Sequence, residues 1–116
     1  SDLDDIFGDS KKKDVKKTLE KKDIVAGVRA NASKVMGCLK RARKKGEIVP
    51  GSHELILDWT IRADGSVMSP KFKGPAHLLG TSLPGCFEQV MLSWVFPWSL
   101  KGRPIRNYPF GPITIR

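Results

Sequence analysis

Apolar residues recur along the chain with two different periods, and these periods predict its secondary structure. Between residues 24 and 45 they lie three or four positions apart, which is the spacing of one stripe on an α-helix. Asp23 precedes this stripe as a good N-cap, because its carboxylate can accept from the free amides of the first turn. Gly46 ends the pattern. The sequence therefore predicts a first helix over about residues 24–45.

Strict alternation follows the helix. Residues 54–62 place four apolar side chains on one side and mostly polar ones on the other, which is typical of a half-buried antiparallel strand. The inward set is Leu55, Leu57, Trp59 and Ile61. Residues 63–66, with Gly65 free to take a positive φ, predict a hairpin turn. Residues 67–73 are predicted as the returning strand, in which Pro70 indicates an edge or a bulge.

A second helix and a third strand complete the pattern. Ser82 is a candidate cap, Pro84 is tolerated in the first helical turn, and Pro97 ends the segment. Its apolar stripe consists of Leu83, Phe87, Val90, Met91 and Trp94. Residues 105–115 then predict a strand interrupted by Pro109 and Pro112. The order predicts an α+β fold: a three-stranded antiparallel sheet backed by two helices (α-β-β-α-β).

Charge separates the chain into two parts. Residues 1–22 are predicted to be a flexible charged linker or tail, because they hold few apolar side chains, and residues 23–116 are predicted to be the folded domain. Leu3, Ile6 and Phe7 within the acidic start of the tail form a candidate docking motif, with a solvated linker as the alternative. Residues 1–23 hold seven Lys and seven Asp or Glu, so the whole excess of +9 lies on residues 24–116.

Many of these cations lie on the first predicted helix, as Arg29, Lys34, Lys40, Arg41, Arg43, Lys44 and Lys45. Cations near a helix C-terminus complement the helix dipole without any ligand. A basic surface also suits acidic proteins, nucleic acid, lipid headgroups or peptidoglycan. Nucleic-acid binding is the alternative function, but stacking of bases requires exposed aromatic residues, and Trp59 belongs to the inward set.

Residues suited to catalysis or metal binding are sparse. His53 and His77 show no ligand spacing, two cysteines are too few for a zinc site alone, and the common catalytic motifs are absent. We predict no catalytic, cofactor-binding or metal site, no small-molecule substrate, and a non-enzymatic protein. No run approaches the roughly 18 apolar residues of a membrane span. The start at Ser1 without Met predicts a fragment of a longer protein.

Several segments resemble TonB C-terminal domains. LILDWTIRADGSV (residues 55–67) resembles their first hairpin, while WVFP (94–97), GRPI (102–105) and YPF (108–110) resemble the second half of the pattern. The two cysteines, in VMGC (35–38) and LPGCF (83–87), make the chain similar to the AgmX/PglI type of C-terminal domain, known from gliding-motility proteins of myxobacteria. The resemblance covers about residues 23–116.

This resemblance implies a periplasmic domain of an inner-membrane-anchored protein, which transmits force or position to a periplasmic or outer-membrane partner. The residues alone leave open whether Cys38 and Cys86 form a disulfide or remain buried thiols; the implied periplasmic location favours the disulfide. The candidate edge for strand addition by a partner is Ile113, Thr114 and Ile115. Trp98 and Tyr108 are candidate anchors there, with core filling as the alternative.

Overall fold

A three-stranded antiparallel sheet and three α-helices form the part of the chain that the computed structural model describes, residues 15–116. The elements are α1 (Lys21–Asn31), α2 (Ser33–Lys44), β1 (Gly51–Ile61), β2 (Val67–Gly74), a 3₁₀ turn (Ala76–Leu78), α3 (Leu83–Met91) and β3 (Arg103–Ile115). The predicted α+β class is confirmed, with the first predicted helix present as two. The candidate motif of Leu3, Ile6 and Phe7 lies outside the described residues.

The sheet has the order β2-β1-β3, so β1 is its central strand. All four predicted inward side chains of β1 are at most 1 % exposed, which confirms the alternation. The predicted turn also forms: Gly65 has φ +84°, and Ile61 pairs with Val67 across it. The core lies between this inner face of the sheet and the helices.

Pro70 predicts an edge strand or a bulge, and both are present. β2 is an edge strand, and the register between β1 and β2 shifts where Asp58 pairs with Lys71 but Thr60 pairs with Met68. The Phe72 amide donates to a carboxylate oxygen of Glu88 on α3, at 2.9 Å. A side chain of α3 therefore already satisfies one hydrogen-bonding group of β2.

The predicted continuous first helix is wrong in one respect, because it is divided at Ala32. Asn31 is 5 % exposed, and its side-chain amide donates to the Gly27 carbonyl (2.7 Å) and to the Val95 carbonyl (3.0 Å). The Ala32 amide then bonds the Arg29 carbonyl, three residues back, instead of continuing the α-helical pattern. A polar tertiary contact at a buried helix position thus accompanies the division.

The folded part also begins before the predicted boundary at residue 23. Leu19 is 2 % exposed in the core, and the Leu100 amide donates to the Lys16 carbonyl at 2.9 Å. Glu20, not Asp23, is the N-cap of α1; Asp23 accepts from the Glu20 amide as the third residue of a capping box. The N-cap of α1 therefore lies three residues before the position that the sequence predicts.

The last helix also differs from its prediction. α3 ends at Met91, six residues before Pro97, and the Ser82 side chain makes no capping hydrogen bond. The Ser82 hydroxyl instead donates to Glu47, which accepts from the Ser82 amide as well. Trp94 lies beyond the helix but remains 1 % exposed, with its ring 5.5 Å from that of Trp59.

Candidate interaction surface

β3 is the outer strand on one side of the sheet, and β1 is its partner within the described part of the chain. Its register against β1 shifts twice, once between Ile105 and Tyr108 and once between Phe110 and Ile113. Pro109 lies between these irregularities and cannot donate a hydrogen bond. Among the described residues, the stretch of this edge without a proline or a register shift is therefore its last part, residues 113–115.

The first irregularity of β3 is held by side chains of the other strands. Asn107 has φ +55°, its amide donates to Asp58 Oδ1 at 2.7 Å, and its side chain accepts from Lys73 Nζ at 2.6 Å. Lys73 also lies 3.6 Å from Asp58. These three residues link β2, β1 and β3, so the bulged part of β3 has a fixed position.

A groove of about 570 Å³ runs between α1 and β3 and is called the α1–β3 groove below. Its apolar lining comes from both elements and is either buried or half-buried. These side chains are Ile24, Val25, Val28, Ala32, Ile105, Tyr108 and Phe110. An apolar floor beside an outer strand is an arrangement that can receive side chains of an added peptide.

Among residues 15–116, four cations and no side-chain carboxylate line the α1–β3 groove. They are Lys21, Arg29, Arg103 and Arg106. Arg103 donates to the Leu19 carbonyl at 2.9 Å, and Arg106 donates to the Trp59 carbonyl at 3.3 Å, so both guanidinium groups are held beside β3. Of these four, only Arg29 belongs to the basic cluster predicted from the sequence, because the other three lie outside the predicted first helix.

Tyr108 lies half-buried in this groove, with its ring 5.3 Å from that of Trp59. Burial raises the pKa of the Tyr108 hydroxyl, while the nearby positive charge of Arg29 acts in the opposite direction. The hydroxyl is therefore protonated at neutral pH and offers a donor inside the groove. The Tyr108 ring therefore packs against the core, and its hydroxyl belongs to the groove.

The helix wall of this groove is held at a fixed distance from the core. At Gly27 the backbone of α1 lies so close to the Phe96 ring that a Cβ atom would overlap it. The Asn31 side chain holds the Val95 backbone through its amide and its carbonyl oxygen. These contacts hold α1 on the loop after α3.

A second groove of about 430 Å³ lies between α2 and the end of β3 and is called the α2–β3 groove. Met36, Leu39 and Ile115 supply its apolar lining. Its cations are Lys40, Arg43, Lys44 and Arg116, and none of its described lining residues has a side-chain carboxylate. Residues 103–111 of β3 line the first groove, and residues 114–115 of β3 line the second together with Arg116, which follows the strand.

The seven predicted basic residues do not form one face. Arg29 lines the α1–β3 groove, and Lys40, Arg43 and Lys44 line the α2–β3 groove. Lys34 donates to the Ser93 carbonyl, Arg41 lies at the two cysteines, and Lys45 is the C-cap of α2. Division of the first helix and its packing distribute these cations over several surfaces.

Cys38 and Cys86 form a disulfide that joins α2 to α3, with their Cα atoms 5.7 Å apart. Cys38 is buried in the core, whereas Cys86 is half-buried. The Arg41 guanidinium donates to Cys86 Sγ at 2.9 Å. The implied pairing is therefore present, on the side of the domain where α2 and α3 meet.

The candidate partner-binding residues differ in exposure. Thr114 is exposed, Ile113 is half-buried and Ile115 is 9 % exposed, so this stretch presents mainly its backbone. Trp98 is 68 % exposed, in the loop between α3 and β3. It does not line either groove.

Nothing in residues 15–116 groups three or more His, Cys, Asp or Glu side chains in a way that could hold a metal ion. None of the helices in that range is long and apolar enough to cross a membrane. Comparisons with protein-family models, curated proteins and solved structures found no match to the chain.

Proposed function

We propose that this chain is a non-enzymatic protein-interaction module of the cell envelope, in which the β3 edge accepts an extended segment of a periplasmic or outer-membrane partner. The observation that carries the proposal is the outer position of β3 with an open, partly apolar groove beside it. In strand addition, main-chain hydrogen bonds supply affinity and neighbouring pockets select side chains.

Two further features support a location in the envelope. The disulfide between Cys38 and Cys86 is of a kind that persists in oxidising compartments such as the periplasm. The resemblance to TonB C-terminal domains of the AgmX/PglI type favours the same compartment. On this proposal the parent protein is anchored in the inner membrane and passes force or position to its partner through the domain.

Nucleic-acid binding receives less support. The aromatic rings of Trp59, Phe72 and Phe110 are buried in the core, which leaves them unable to stack on bases. Three of the seven predicted cations, Lys34, Arg41 and Lys45, line neither groove. Protein recognition along β3 uses both the apolar and the basic parts of the surface.

The test is hydrogen exchange on the oxidised chain, alone and with a partner captured by cross-linking in periplasmic extract. Strand addition should slow exchange of those amides in residues 113–115 that face away from β1, because a partner strand would shield and bond them. The amides of β2 serve as the internal control, because the Glu88 carboxylate already bonds one of them. A captured partner that leaves β3 exchange unchanged would refute the proposed mode of binding.

A further inference from the structure

The geometry points to an acidic, extended peptide segment as the partner's binding element, with its apolar side chains in the α1–β3 groove and its carboxylates on the basic rim. This inference rests on the proposed function and names the chemical class of the partner. Strand addition by itself would accept a segment of any charge, whereas this inference excludes neutral and basic segments.

The charge of the residues that line the grooves favours an acidic ligand. Within the described part of the chain, the α1–β3 and α2–β3 grooves together present eight cationic side chains and no side-chain carboxylate. The polar face of the sheet, by contrast, pairs its charges, with Lys73 3.6 Å from Asp58. Like-signed rim charges around a partly desolvated groove repel basic ligands and attract acidic ones. These cations therefore lie where a ligand beside β3 would meet them.

The apolar lining of the α1–β3 groove favours a peptide over a purely charged ligand. Val25, Ala32 and Tyr108 are half-buried, so they are packed from below and remain accessible from the groove. A purely electrostatic partner such as a polyphosphate would leave this surface in water. An extended peptide places alternate side chains on opposite sides. One set of its side chains can therefore be apolar and face the groove lining. The alternate set can be carboxylates that reach the basic rim.

The length of β3 favours a ligand in an extended conformation. β3 has 13 residues, which span at most roughly 44 Å at the rise of an antiparallel strand. Because the two grooves follow one strand in succession, a single segment in extended form contacts both of them. A ligand helix would cover the same number of residues in less than half of that length.

The experiment measures binding of a fluorescent peptide that alternates Asp with Val and Phe to the full oxidised chain. Matched peptides carry Asn or Lys in place of Asp. We expect the Asp peptide to bind at least about tenfold more tightly than the Asn peptide, with affinity falling as salt screens the rim charges. The Lys peptide should be the weakest of the three.

The variant Lys21→Glu/Arg29→Glu reverses two exposed rim charges on α1 and should weaken binding of the Asp peptide by about tenfold or more. Its matched control is Lys71→Glu/Lys101→Glu, which changes the net charge equally at exposed positions outside both grooves. The control should retain binding to within about twofold. Circular dichroism of each variant verifies that it is folded.

Three results would overturn the inference. Equal binding of the Asp and Asn peptides, with slowed exchange in residues 113–115, would leave strand addition in place but remove the charge selection. Equal weakening by both double variants would mean that the peptide responds to net charge and not to the groove. A chain that dimerises through the groove, and becomes monomeric in the Lys21→Glu/Arg29→Glu variant, would assign the groove to a second copy.

Discussion

The link between α2 and α3 provides the prediction with the largest expected effect. Cys38 and Cys86 are separated by 48 positions, and the segment between them includes β1 and β2. Closing a loop of that length lowers the entropy of the unfolded chain, which corresponds to about 4 kcal/mol of stability in the chain-entropy model. Small domains have total stabilities of roughly 5–15 kcal/mol. Loss of this bond should therefore remove a large part of the free energy of unfolding.

Urea unfolding followed by circular dichroism measures this loss. The oxidised chain should have a midpoint roughly 2–3 M higher than the reduced chain or the Cys38→Ala/Cys86→Ala variant. The variant should not respond to reductant, which separates loss of the bond from any other action of the reagent. Equal midpoints for the oxidised and reduced chains would refute the reasoning, because the loop would then not restrict the unfolded state.

The remaining predictions concern α1. Gly27→Ala should destabilise the domain by about 1–3 kcal/mol, because the added methyl overlaps the Phe96 ring, whereas Gly37→Ala on α2 should stabilise it by about 0.5–1 kcal/mol. Thermal unfolding of both variants compares them, and the same sign for both would contradict the close contact. The Glu20 amide and then Lys16 lower the pKa of the Asp23 carboxyl from its ordinary 3.8, so its stabilising contribution is present above that pH and is lost as pH falls through the lowered pKa. The stability difference between the wild-type chain and Asp23→Asn should stay constant above about pH 5 and shrink below pH 3.8. A difference independent of pH would show that the carboxylate charge contributes nothing.

Local patterns in the sequence determined the elements of this fold. Alternation in residues 55–61 is sufficient to predict a one-sided strand, because side chains of a strand point to opposite faces in turn. The turn at Gly65 and the stripes of the helices depend on neighbours within a few positions. The excess of positive charge on residues 24–116 is likewise a property of the sequence alone.

Contacts between distant residues decided the candidate site. Asn31 meets the Val95 backbone 64 positions later, and this contact accompanies the division between α1 and α2 that no local period indicates. The strand order β2-β1-β3 leaves β3 at the edge, and its packing beside α1 brings Arg103 and Arg106 to the rim that Lys21 and Arg29 share. Periodicity specifies which face of an element is buried, but it contains no information about which element lies beside that face. The composition of the groove therefore follows from tertiary packing, which brings together residues that are far apart in the sequence.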